Sequence, residues 1–419
     1  MPEDLTPASG LATLEDRLAA GLERLNHPPA DWTPPRRGPD GRPAVDVLIA
    51  GGGMQGLGAA FALRRLGISN LRQVDAAPPG REGPWLTYAR MEKLRSPKHL
   101  TGPAQGLPDL TFRAWWEARH GPEGWARLGY IDRPDWAAYL AWFGKVTGAR
   151  VENGTRLLSL RPQGDLIAAR LCGPAGEETV HARQIVLATG REGQARPRIP
   201  APFRPWLGGR VAHSSHPVDF AALSGRRVAV AGLSASAFDN ACTAAEHGAQ
   251  VTLLGRAAQT PRVNKMKQTV YPGFAHGFPD LPPKARLTWL SAVLRARTAP
   301  PRHTVQRAAR AGVRLMQGVE TERVEEVGEA LRLHLGARSV DADFVILGTG
   351  FGFDLSAAPE LAELAPRIAL WRDLDVGAPE SELLDCPALG PGFEFTALPG
   401  EDGDGLSRIR CFNLAALPC

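Results

Sequence analysis

The segment VDVLIA, residues 45–50, runs directly into Gly51-Gly52-Gly53-Met54-Gln55-Gly56. An apolar, β-branched run that breaks on a G-x-G-x-x-G cluster leaves few options for the backbone. Gly51 allows a tight turn off a strand, Gly53 lets a pyrophosphate approach the main chain, and Gly56 lets the following helix pack closely on the sheet. QGLGAAFALRRLG then reads as a helix and NLRQVDAA as a second strand that ends on Asp75. A carboxylate there can accept hydrogen bonds from a ribose hydroxyl, and phosphates can rest on the unpaired N–H groups of the helix start. The spacing predicts a strand–loop–helix–strand unit that binds a dinucleotide. The plainer alternative is a structural turn.

The same pattern returns in RRVAVAGLSASAFDNACTAAEHGAQVTLLGR, residues 226–256. Here Gly232 opens the turn, Ser234 stands at the second glycine position, Ser236 follows, and Ala237 fills the third position. No acid ends the next strand; Arg256 does. A carboxylate would repel a 2′-phosphate, whereas a guanidinium binds it through a charge-assisted fork. The second unit is therefore expected to take NADPH in preference to NADH, the alternative being a degenerate unit with Arg256 merely on the surface.

A chain of 419 residues exceeds one ordinary core, so two domains, or one inserted in another, are expected. No run of 18 uncharged apolar residues occurs, which argues against a membrane span. The N-terminus carries acids where a leader would carry bases, so a cytoplasmic location is the default. The net charge of +5 is spread without a Lys/Arg block, so nucleic acid is not an expected partner. Five scattered cysteines without a CxxC predict neither disulfides nor a dithiol relay. His213 and His216 lack metal-ligand spacing, and no metal is expected. Leu11, Leu14, Leu18, Leu22 and Leu25 recur at helical spacing and predict a helix over 11–26. It is expected to pack on the body of the protein, with a role in a homo-oligomer as the alternative. A Pro-rich linker follows to about residue 43.

Two later strands end in IVLATG and FVILGTG, at 185–190 and 344–350. Together with the two glycine loops, they resemble the two-dinucleotide-binding flavoproteins. More narrowly, Gly83-Pro84-Trp85, MEKLRSP (91–97), RPDWAAYLAWF (133–143), Gly232 to Asp239 and TPRVNKMKQTVYPGFAHGFPDLP (260–282) resemble motifs of the class B flavoprotein monooxygenases. The resemblance implies an α/β fold of two Rossmann-like domains, the NADP domain inserted in the FAD domain. The implied division is a helix and linker over 1–44, FAD domain over 45–215, NADP domain over 216–339 and FAD domain again over 340–419. SRIRCFNL is expected to rejoin the FAD sheet.

The resemblance also implies cofactor contacts at Gly51, Gly53, Gly56, Asp75, Trp85, Thr189, Gly190, Gly232, Ser234, Ser236, Ala237, Arg256, Thr349 and Gly350. Arg95, Lys98 and Asn264 become candidates to orient flavin or nicotinamide. Trp115, Trp116, Trp136 and Trp142 read as core. The implied activity uses FAD, NADPH and O2 to place one oxygen atom on a small-molecule substrate through a C4a-hydroperoxyflavin. The family's F-x-G-x-x-x-H-x-x-x-[FYW] fingerprint is broken, because Pro217 follows Leu207, Gly209 and His213. Nitrogen or sulfur is therefore the expected target rather than a ketone. The N-hydroxylating segment carries Lys265 after Asn264 in place of an acid, so an amino-acid substrate does not follow. RIRCFNLAALPC ends where relatives continue into a helix over the flavin, which predicts a poorly closed site. An NADPH-dependent flavin oxidoreductase without oxygen transfer, and a non-catalytic flavin-binding protein, stay open as alternatives.

Overall fold

The computed structural model describes residues 7–419. The strand Val45–Ala50 is buried along nearly its whole length, as an apolar strand in a parallel sheet covered on both faces must be. Leu71–Asp75 lies parallel on one side of it, with Val47 opposite Leu71. On the other side runs the long strand Gly176–Gly190, with Val47 opposite Gln184. The order across this seven-stranded sheet is Val151–Asn153, Leu71–Asp75, Val45–Ala50, Gly176–Gly190, Leu166–Gly173, Arg156–Gln163. The last two strands are antiparallel. Ile409–Asn413 joins in parallel with the long central strand, as expected of SRIRCFNL.

A second sheet contains five parallel strands in the order Arg314–Gln317, Gln250–Gly255, Arg227–Ala231, Phe344–Leu347, Val211–His213. Its membership moves the expected boundaries. The expected boundaries put Val211–His213 and Phe344–Leu347 in the first domain, yet both pair within the second sheet. A strand ending in Thr-Gly carries no mark of which sheet it joins, and here the ladder decides. Arg323–Val327, Ala330–Leu335 and Arg338–Ala342 add a small antiparallel sheet.

The two connections between the large sheets pair with each other. Ala195–Pro197 is antiparallel to Phe351–Phe353, with Phe351 opposite Pro197. His213, fully buried, lies edge-on to Phe351 at 5.0 Å. Its Nε2 lies 3.0 Å from the Gly350 carbonyl, and its Nδ1 accepts from the Ser215 N–H at 3.2 Å. Those partners require the tautomer with the proton on Nε2. Burial lowers its pKa to about 4.

The helix Pro7–Arg24 packs on the body of the protein. Leu14 and Leu18 sink into an aromatic core with Phe112, Trp115, Trp136, Tyr139 and Phe143, and Arg17 pairs with Asp109 at 2.6 Å. Tyr139 donates its hydroxyl proton to the Leu110 carbonyl at 2.7 Å, so its polar end is satisfied inside that core. Among the described residues, no helix is long and apolar enough to cross a membrane.

Candidate cofactor and substrate site

The first glycine loop separates two demands on its glycines. Gly51 has φ +123°, and a Cβ there would stand 2.2 Å from the Ala188 carbonyl oxygen. A Cβ on Gly56 would stand 1.9 Å from the Gly51 oxygen. Both are therefore required by the fold itself. Gly53 is different: its backbone is extended (φ −74°, ψ −172°), and a Cβ would meet no protein atom within 4 Å. The space in front of it is open, at the start of a helix whose first N–H groups carry no side-chain cap. A diphosphate fits that cradle by charge and by donors.

Asp75 completes it. One carboxylate oxygen accepts from Gly52 N–H at 2.6 Å, the other from Ala77 N–H at 2.7 Å. An ionised carboxylate has about four acceptor positions, so two remain for ribose hydroxyls. Gln73, buried beneath, donates to the Gly51 carbonyl at 3.0 Å and fixes the turn. The first Thr-Gly turn lies alongside. Gly190 has φ +69°, and Thr189 Oγ1 accepts from Asn413 Nδ2 at 3.2 Å. Glycine loop, turn and returning strand thus converge, and the residues present fit an FAD diphosphate and ribose.

The second loop is tighter. Gly232 has φ +130°, and its Cβ would come within 2.5 Å of the Gly348 oxygen. Gly348, which sequence reasoning missed, has no room for a Cβ against Ala237, 2.6 Å away. Ser234 precedes the helix Ala235–Glu246 in an extended conformation, and its hydroxyl caps nothing. Ser236 contributes its carbonyl to Asn240 Nδ2 at 2.9 Å. The helix start is not wholly open, however: Ala235 N–H donates to the Thr298 carbonyl at 3.1 Å. Thr349 and Gly350 face the interdomain connection. Thr349 Oγ1 bonds to the Arg198 carbonyl, and the Gly350 carbonyl accepts from Arg198 N–H at 2.9 Å.

Arg256 is 64% exposed and reaches Glu320 only at 3.3 Å, also on the surface. Arg297 and Arg256 both act on Arg198, whose pKa is lowered first by burial and then by these two charges. The three guanidiniums lie near one another, with Arg198 paired to Glu382 and Arg256 to Glu320, and Arg198 and Arg297 carry no sequence mark that would have found them.

The structure redistributes the other candidates. Lys98 is engaged by a helix end: its ammonium donates to the Trp125 and Leu128 carbonyls, both at 2.5 Å, and lies 4.5 Å over the Trp125 ring. It caps the end of the helix Phe112–Arg127, and an orienting role is withdrawn. Asn264 accepts from Met266 N–H at 3.0 Å and caps a short helical turn. Trp85 packs edge-on to Trp136 at 6.1 Å. Its carbonyl accepts from Arg133, so it shapes the loop after Gly83 rather than presenting a free ring. Arg95 pairs with Asp239 of the second domain. Tyr88 and Glu192, not foreseen, are both shifted, Glu192 standing two residues after the first Thr-Gly turn. Burial, then Glu192, pushes the Tyr88 phenol up to about 12, and local desolvation raises the Glu192 carboxyl although the residue is exposed.

Residues 48–287 match the family described as pyridine nucleotide-disulphide oxidoreductase. Across 413 residues the chain is 40% identical to the FAD-dependent urate hydroxylase of Xanthomonas campestris pv. campestris, covering 97% of this chain and 87% of that relative. The fold is shared with the ornithine N-hydroxylase of Kutzneria sp. 744, at TM-score 0.67 and 18% identity, over 90% of this chain and 96% of that one. The ornithine hydroxylase of Pseudomonas aeruginosa superposes at TM-score 0.68 with 17% identity, over the same shares of each chain. The chain belongs to the pyridine nucleotide-disulphide oxidoreductase family and, within it, to the flavoprotein monooxygenases.

Proposed function

We propose that this chain is a urate hydroxylase dependent on FAD and NADPH. The observation that carries the reading is 40% identity over 97% of the chain to a relative named FAD-dependent urate hydroxylase. The Gly53 cradle and Asp75 support FAD in the first loop, and Arg256 beside Arg198 and Arg297 supports NADPH over NADH in the second. Urate is the small-molecule substrate that this reading names.

The balance is urate, O2, NADPH and a proton giving hydroxylated urate, NADP⁺ and water. FAD, when bound, supplies the two-electron chemistry that couples NADPH to O2. The protein's part is placement. The helix start behind Gly53 holds the diphosphate, Asp75 the ribose, and the Thr189–Gly190 turn the neighbouring wall. The reading puts the enzyme in the cytoplasm, with urate and O2 as its small-molecule partners.

The test is NADPH oxidation by the flavin-loaded protein with and without urate. Strong stimulation by urate, and none by ornithine or lysine, is expected. Stimulation by an amino acid but not by urate would overturn the substrate assignment.

A further inference from the structure

The segment from Arg90 to Arg95 belongs to one domain by its backbone and to the other by its side chains. Leu94 N–H donates to the Ile131 carbonyl at 2.8 Å, and Arg133 N–H to the Glu92 carbonyl at 2.9 Å. Lys93 bridges Asp132 in antiparallel fashion, and its ammonium reaches the Asp132 carboxylate at 2.8 Å. The segment is thus fastened to the domain of the first glycine loop. Three of its side chains cross over. The Arg90 guanidinium lies 5.2 Å over the Phe220 ring. Glu92 stands 3.5 Å from Arg307, which also grips Glu246 at 2.6 Å. Arg95 pairs with Asp239.

These crossings differ in weight. The Glu92 side chain is more than half exposed, and such pairs contribute little. Asp239 is only 3% exposed and the Arg95 side chain 24%. Around Asp239 stand the cations Arg95 and Arg307 and the anion Glu92. Of these, only Arg95 is hydrogen-bonded to it. A buried carboxylate without its partner is strongly unfavourable, so this pair tolerates little displacement. Asp239 also lies about one turn into the helix Ala235–Glu246, which opens at Ser234 of the second glycine loop. Whatever holds Asp239 holds that loop.

We propose that Arg95 and Asp239 are a positioning pair that fixes the second dinucleotide loop relative to the first, and so sets the distance between nicotinamide and flavin. The reacting step is hydride transfer: a C–H bond of the NADPH nicotinamide breaks, NADP⁺ is left, and the hydride reduces the flavin. Arg95 touches no reacting atom in this account. It acts through Asp239 and the helix. The inference rests on the cofactor assignment above and is independent of the substrate.

The experiment is anaerobic flavin reduction by NADPH, followed by stopped flow on the holoenzyme, for Arg95→Met, Asp239→Asn, Arg95→Lys and the double variant R95M/D239N. Misplacement by about 1 Å can cost on the order of 100-fold in rate, and a fall of that order in the limiting reduction rate is expected for R95M and D239N. Flavin occupancy should be unchanged, and NADPH affinity should shift by no more than about threefold. The double variant should be no slower than the worse single one, because both break one contact. Arg95→Lys should fall between wild type and R95M, since an ammonium keeps the charge and loses the fork. Limiting rates within about twofold of wild type in R95M and D239N would overturn the proposal, as would losses that merely track lost flavin. If neither single variant folds, R95K carries the test alone: slower reduction at full flavin occupancy supports the pair, and a wild-type rate overturns it. A wild-type holoenzyme that NADPH failed to bleach would instead refute the cofactor assignment.

Discussion

Replacing Gly53 by Val separates what the fold needs from what the cofactor needs. The Gly53 backbone is extended, a conformation any residue adopts, and a Cβ there meets no protein atom within 4 Å. The apoprotein should therefore lose no more than about 1 kcal/mol, the usual scale for a poor residue at a helix start. The branched side chain would, however, stand where the diphosphate approaches the helix. Losing one hydrogen bond to a charged group costs about 1.5–3 kcal/mol, and more if two are lost. One such loss is roughly one to two decades in Kd. FAD at a hundred times Kd stabilises the wild type by about 2.7 kcal/mol, and a hundredfold weaker Kd leaves roughly 0.4 kcal/mol. The assay is flavin absorbance per protein after gel filtration, with Tm measured with and without added FAD. Gly53→Val should be colourless, with an apo Tm near that of stripped wild type and almost no FAD-dependent rise. Gly56→Ala is the contrast: its Cβ would meet the Gly51 oxygen at 1.9 Å, so the apoprotein itself should fail. Full flavin occupancy in G53V would refute the assignment of the cradle, and an apo Tm as low as that of G56A would refute the claim that the protein leaves this space free.

Arg256→Ala should weaken NADPH binding by about 1.5–3 kcal/mol and leave NADH nearly unchanged in titrations of the oxidised enzyme; equal losses would remove the 2′-phosphate contact from the account. Lys98→Met should lower stability by about 1–3 kcal/mol in urea unfolding, through the uncapped Trp125 and Leu128 carbonyls, while flavin reduction by NADPH proceeds at the wild-type rate. A slower reduction would return Lys98 to the active site. His213 predicts an acid sensitivity. Its folded pKa of about 4 lies below the unfolded value of about 6.5, so both states are neutral at pH 7 and only the unfolded state takes up the proton on acidification. Its destabilising effect begins as pH falls through the unfolded value, reaches about 2 kcal/mol at pH 5, and levels off below the folded value. Urea unfolding at pH 7 and pH 5 should show that difference in the wild type and most of it abolished in His213→Gln; an unchanged difference would assign the sensitivity elsewhere.

What could be read from the sequence follows the range of the interactions. The first loop is local: strand, glycines, helix and Asp75 lie within about thirty residues; Gly51 and Gly56 stand where a Cβ would clash, as the motif suggested, while Asp75 accepts from the Gly52 and Ala77 N–H groups. The return of Ile409–Asn413 to the first sheet was legible only through the resemblance to the flavoproteins, because an apolar strand needs a neighbour but does not say which. The two Thr-Gly strands look alike in sequence, yet Phe344–Leu347 joins the second sheet, since only the ladder distinguishes them. Arg95 and Lys98 lie three residues apart in one motif-like stretch and do different things. One reaches Asp239, 144 residues away, and the other turns back to a helix end. Nothing in composition or spacing encodes that difference. Gly348 and the carbonyl of Thr298 were invisible for the same reason: each matters only through what the fold lays against it.

The most direct measurement is the fate of isotopically labelled O2 in a reaction of the flavin-loaded protein with NADPH and urate. One labelled oxygen atom in each product molecule, with one NADPH consumed per product and the second oxygen recovered in water, is the result predicted. Urate recovered unchanged and unlabelled while NADPH is oxidised and both oxygen atoms appear in hydrogen peroxide would contradict the assignment of this chain as a urate hydroxylase.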